Sequence, residues 1–135
     1  MIEVTNLTRF TVDKKFFAGV AKKVLKGENK ETENLSIAFV SAAEIHKLNK
    51  KYRKQNKPTD VLSFEKVTHL KQEYGEVVIC PQIVFKNLKS VKNSKRELAN
   101  VLIHGILHVF GYDHERSEKD EEVMLGKQGY YLSKV

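Results

Sequence analysis

The run from Leu98 to Phe110 would be apolar on almost every side of a helix, interrupted only by Asn100, His104, Gly105 and His108. A helix with no polar face has to be buried, so this segment predicts a central helix enclosed by the rest of the chain. Ser94-Lys95-Arg96-Glu97 reads as a capping box at its start, and Gly111 is well placed to end it.

The elements expected around that helix are of both kinds. Ile2 to Asn6 reads as a short first strand. Phe17, Val20, Ala21, Val24 and Leu25 then recur at helical spacing and stop at Gly27, an amphipathic helix with a glycine C-cap. Leu35 to Val40 alternates with period two, and Ser41-Ala42-Ala43-Glu44 opens a helix carrying Ile45, Leu48 and Tyr52. Asp60 to Phe64 and Tyr74 to Cys80 are two further strands, with a hairpin-like connection across the polar stretch between them. A last helix from about Ser117 carries Val123, Met124 and Leu125. The expectation is an α+β fold, a small mixed sheet of about four strands packed against helices. With 135 residues, 41% of them hydrophobic, and no repeat or linker, it spans residues 1–135 as one domain.

The chemistry sits on the buried helix. His104 and His108 lie one turn apart on nearly the same face, as two ligands of one metal must. The turn after Gly111 can bring His114 back toward them, which makes a three-histidine site at the end of the central helix. A histidine cluster held by hydrogen bonds alone is the plainer explanation, and for one histidine it would be preferred. Three buried imidazoles would each need a partner, whereas one shared metal ion satisfies all three. Neutral imidazole suits zinc and related ions, and three protein ligands leave a position open for water.

The spacing H-x-x-x-H-x-x-G-x-x-H also occurs in metzincin proteases. Those enzymes carry a glutamate directly after the first histidine as general base. Here that position is Gly105, which has no side chain to take a proton, and a peptidase would need its base from elsewhere.

Together, His104-Gly105-x-x-His108-x-x-Gly111-Tyr112-Asp113-His114, Leu48-Asn49-x-x-Tyr52-Arg53, Lys57-Pro58-Thr59-Asp60-Val61-Leu62-Ser63-Phe64 and Gly75-Glu76-Val77-Val78-Ile79 resemble the YbeY family of bacterial endoribonucleases. The resemblance covers roughly residues 35 to 125. It implies an α+β fold, one divalent metal ion, most readily zinc, on His104, His108 and His114, and cleavage of single-stranded RNA. It further implies a place in ribosomal RNA maturation, notably at the small-subunit 3′ end, in ribosome quality control, and a small-ribosomal-subunit partner. Two departures stand out: Gly75-Glu76 where the family commonly has Gly-Asp, and no acidic residue around Gln128 after the late methionine.

Arg53 matches the family's functional arginine, and a guanidinium beside a metal-bound hydroxide can clamp a phosphate at two points. The neighbouring Lys50, Lys51, Lys54 and Lys57 suit a solvated helix end whatever the function. Asp113 can either hold a ligand imidazole or cap the turn after Gly111. Cys80 reads as a small core hydrophobe rather than a fourth ligand. Tyr52, Phe64 and Tyr112 can stack on bases, though ordinary packing explains each.

A net charge of +7, from 24 Lys+Arg against 17 Asp+Glu, favours a polyanionic partner. The lone cysteine, the absence of a basic-then-apolar leader at Met1–Thr5, and the lack of any run of ~18 apolar residues predict a cytoplasmic chain that does not span a membrane. Direct attack by metal-bound water and assistance of the ribose 2′-hydroxyl both remain open, with no side chain an obvious general base. Two other functions are compatible with these residues: a metalloprotease-like hydrolase, and a non-catalytic ribosome-binding factor with a structural metal.

Overall fold

The computed structural model describes residues 1–66, 74–88, 91–113 and 115–135. In chain order the elements are β1 (Ile2–Asn6), α1 (Lys14–Gly27), β2 (Asn34–Phe39), α2 (Ala42–Arg53), β3 (Val61–Phe64), β4 (Tyr74–Ile79), α3 (Pro81–Lys86), α4 (Ser94–Val109) and α5 (Glu118–Leu132). The sheet runs β1-β2-β4-β3, parallel across its first two pairings and antiparallel at the last. This is the expected α+β architecture with a four-stranded mixed sheet. The connection expected across the 65–73 stretch lies mostly outside the described residues.

Alternation along the strands divides the core. Leu35, Ile37 and Phe39 of β2 and Val77 and Ile79 of β4 face α1 and α4 and form the larger cluster. Ala38, Val78, Leu62 and Cys80 face the other way and pack with Val40 and Ile45 beneath α2. In β3 the same period sends Val61 and Ser63 toward α4, and Leu62 and Phe64 toward α2. Helix α4 is buried along most of its circumference, with Leu98, Ala99, Val101, Leu102, Ile103, Ile106, Leu107 and Val109 all in the core.

Four local details differ from the sequence expectation. Gly27 is not a left-handed cap: Asn29 takes the positive φ of 58°. Gly27 instead makes room for α5, since a Cβ there would lie 2.6 Å from Tyr131 Cε1. The Ser94 capping box is not formed, because a 3₁₀ turn over Val91–Asn93 runs straight into α4 and makes Asn93 the cap residue. Glu97 turns to Asn100 instead, whose Nδ2 donates to it at 3.3 Å. Helix α3 was not anticipated, although a proline at its first turn marks a helix start. On α5 only Met124 and Tyr131 are buried, and Val123 and Leu125 are exposed.

One carboxylate ties three segments together. Glu28, at the end of α1 with a side chain only 6% exposed, accepts from the Tyr112 hydroxyl at 2.6 Å, the Lys127 ammonium at 3.1 Å and the Tyr131 hydroxyl. Burial alone would push its pKa up, but the hydrogen bonds from Tyr112, Tyr131 and Lys127 outweigh it and hold the group below the usual glutamate range. Glu28→Ala strands two phenols and a cation, and is expected to lose about 3 kcal/mol of stability at pH 7 in urea unfolding. Because the folded pKa is depressed, this contribution is full above the unfolded value of ~4.3 and fades as pH falls through the folded one. Unfolding of Glu28→Ala at the wild-type urea concentration would show that the contacts contribute nothing net.

Candidate active site

The last turns of α4 open into a cleft of about 1030 Å³, lined among others by Arg53, Lys57, Ser63, His104, His108, Tyr112, Asp113 and Arg116. The fold brings Arg53 of α2 and the histidines of α4 to one cavity although they are far apart in the chain. His114 lies outside the described residues.

His104 and His108 are half-buried gaps in a helix whose other inward positions are apolar. Helical spacing stacks their rings with centroids 4.6 Å apart and planes at 74°, and the two Nε2 atoms approach to 3.1 Å. Two imidazole nitrogens bound at ~2.0–2.1 Å to one tetrahedral ion would stand ~3.3 Å apart, so this pair fits a shared zinc-like ion. Among the described residues no group of three His, Cys, Asp or Glu side chains comes together. A metal site of the expected kind therefore depends on His114.

Cys80 does not join the histidines as a fourth ligand, and the described contacts of Asp113 are with its own turn. Cys80 is buried in the cluster beneath α2, where burial pushes its thiol pKa up. Asp113 shapes the turn: its Oδ1 accepts from the Glu115 amide at 2.9 Å, and its Oδ2 lies 3.7 Å from Arg116 Nε. The residue that does engage an imidazole is Gln128, whose Oε1 lies 3.1 Å from His104 Nδ1. The sequence marks this position only as one where the family's acidic residue is missing, with no role assigned to Gln128. A signal existed: Gln128 sits one turn after the buried Met124 and shares its face, where a polar group needs a partner.

Arg53 ends α2, exposed to the cleft, and none of the described side chains pairs with it. The chain beyond it is held back on α2 by Asn49, 4% exposed, whose Nδ2 donates to Lys57 O at 2.8 Å. Its own carbonyl accepts from the Gln55 amide at 3.3 Å, and Lys54 takes a left-handed φ of 60°. Of the four lysines nearby only Lys57 lines the cleft, and Lys54 caps the helix through Lys51 O at 3.3 Å, as a solvated helix end would. Arg116 is a second guanidinium on the cleft, fixed by a 2.9 Å hydrogen bond to Gly111 O. Tyr52 is exposed with its ring edge-on to Phe64, and Tyr112 is committed to Glu28.

Gly105 is where α4 touches the sheet. Its carbonyl accepts from Ser63 Oγ at 2.8 Å, and a Cβ at this position would lie 2.6 Å from Val77 Cγ1 and 3.2 Å from Val61 Cγ2. Glu76, one of the two departures, falls on strand positions facing away from α4, and burial pushes its carboxyl pKa up.

An α+β protein with convergent imidazoles and, among the described residues, an unpaired guanidinium on one cleft is the class that fold and site define. The family model described as Endoribonuclease YbeY matches residues 3–135. An Endoribonuclease YbeY of Thermotoga neapolitana is 36% identical over 128 residues, covering 87% of this chain and 84% of its own length. The Endoribonuclease YbeY of Thermotoga maritima is 42% identical over 103 residues, 76% of this chain and 67% of that protein. A solution structure from Thermotoga maritima superposes with a TM-score of 0.68 at 34% identity, covering 98% of this chain and 87% of the other. The chain belongs to the YbeY endoribonuclease family.

Proposed function

We propose that this protein is a metal-dependent endoribonuclease that cuts single-stranded RNA, holding one zinc-like ion on His104, His108 and His114. The observation that carries this reading is the 3.1 Å convergence of the His104 and His108 Nε2 atoms in a cleft that also presents Arg53, unpaired among the described residues. Bound there, the ion supplies an acidified water and a Lewis acid for a phosphodiester oxygen. Arg53 grips the phosphate through its planar fork and neutralises charge that builds on it. With the ion bound, His104 and His108 would present their Nε2 lone pairs to it. Gly105 supplies no base, which disfavours peptide hydrolysis.

The biological substrate in this reading is ribosomal RNA, including the 3′ end of the small-subunit RNA, with a further part in ribosome quality control and the small ribosomal subunit as partner. A net charge of +7 supports a polyanionic target. The setting proposed is the cytoplasm; no described helix is long and apolar enough to cross a membrane.

Single-stranded RNA, duplex RNA and casein, each incubated with the protein with and without chelator, test the function. New RNA ends on the single strand alone, lost on chelation and restored by Zn²⁺, are expected. Retarded RNA without new ends would mean a binding factor, and casein hydrolysis without RNA cleavage a peptidase.

A further inference from the structure

A line of side chains runs from the start of α4 to its first histidine by way of α5, and each link has a polarity. Asn100 Nδ2 donates to Glu97 Oε1 at 3.3 Å, Gln128 Nε2 donates to Asn100 Oδ1 at 2.8 Å, and Gln128 Oε1 lies 3.1 Å from His104 Nδ1. An ionised carboxylate can only accept. Glu97 therefore takes the NH₂ end of Asn100, which leaves the Asn100 oxygen for Gln128. That oxygen in turn takes the NH₂ end of Gln128. The Gln128 oxygen then faces His104, and only a protonated Nδ1 can satisfy it. The proton sits on Nδ1 and the lone pair on Nε2, the atom aimed at His108.

We infer that Gln128 is a positioning residue, which, with Asn100 and Glu97 behind it, locks His104 in the Nδ1–H tautomer and turns its Nε2 lone pair toward the metal position. This rests on the metal reading of the site. Its physical content is that an imidazole must be neutral, of the right tautomer and correctly turned before it can ligate, and a hydrogen-bonded partner meets those requirements in advance. The partner here is a neutral amide, so it orients the ring without adding negative charge beside the ion.

Two measurements on the full-length protein test it. Zn²⁺ affinity is read by competition with a chromophoric chelator, and the His104 tautomer by long-range ¹H–¹⁵N NMR. Gln128→Leu should weaken Zn²⁺ binding ~10–100-fold and give a mixed tautomer. Gln128→Glu keeps the acceptor and should restore both the affinity and the Nδ1–H form, a rescue that a merely structural role for Gln128 would not require. Glu97→Gln, which can donate as well as accept, should mix the tautomers with the fold intact. Wild-type Zn²⁺ affinity and a single unchanged tautomer in Gln128→Leu would overturn the inference while leaving the metal reading in place. Failure of the wild-type protein to bind Zn²⁺ would overturn the metal reading itself, and the tautomer in Gln128→Leu alone would then decide whether Gln128 positions the ring.

Discussion

His108→Ala is expected to leave a folded protein that retains no stoichiometric metal and cleaves single-stranded RNA at least ~10³-fold more slowly. Lewis-acid stabilisation of a phosphoryl transition state is worth several kcal/mol, and about 4 kcal/mol corresponds to ~10³ in rate. The imidazole sits half-buried at the cleft, with Nε2 only 3.1 Å from that of His104, so its removal takes away one imidazole of the pair and empties no core position. Elemental analysis of protein purified without added metal, run beside the cleavage assay, reads both consequences. Metal content equal to wild type in His108→Ala and also in His104→Ala would show that the ion, if present, is held elsewhere.

Arg53→Ala should separate the two halves of the mechanism. Guanidinium has no lone pair for a cation, so metal content should not change. The loss of one preorganised contact to developing charge should slow cleavage ~10²-fold or more. A solvated helix-end charge would instead contribute ~1 kcal/mol of stability at most and nothing specific to turnover. The structure sharpens the contrast, because no described carboxylate forms an ion pair with Arg53, although Asp60, Glu65, Asp113 and Glu115 share its cleft, while the Asn49-tied turn beyond it keeps the end of α2 on the cleft. Arg53→Lys should recover only part of the rate, since an ammonium lacks the two-point fork. Wild-type cleavage by Arg53→Ala at equal metal content would place Arg53 with the surface lysines.

What could be read from sequence was what local periodicity encodes. The inward positions of α1, the alternation in β2 and the near-continuous apolar α4 are set within one or two turns of chain, and they fall where expected. The errors arise where a distant partner decides. Gly27 reads as a cap from its neighbours, but Tyr131 of α5 is what requires it to lack a side chain. Val123 and Leu125 look like core and lie outside, because α5 meets the body through Met124 and Tyr131. At the site, the spacing of His104 and His108 exposed their convergence, since a helix maps spacing onto geometry. Gln128 could not be assigned the same way: its role depends on hydrogen-bond direction handed across from Asn100 on another helix. For Asp113, whose two candidate roles use the same atoms, the described contacts are those of the turn, with the Glu115 amide and Arg116.

The crowding around Gly105 bears on how this scaffold can change. Glycine and glutamate codons can differ by a single nucleotide, and the histidine spacing already matches that of a peptidase, so the conversion looks one substitution away. The sheet closes that route. A side chain at position 105 must enter the 2.6 Å gap to Val77 and displace Ser63 and Val61, so Gly105→Glu would force apart the contact of α4 with β3 and β4 before its carboxylate reached any substrate. Redesign toward peptide hydrolysis would have to bring its base from the loops rimming the cleft, with the helix beneath left alone. What separates the two chemistries in this framework is then a matter of volume, decided where α4 packs on β3 and β4.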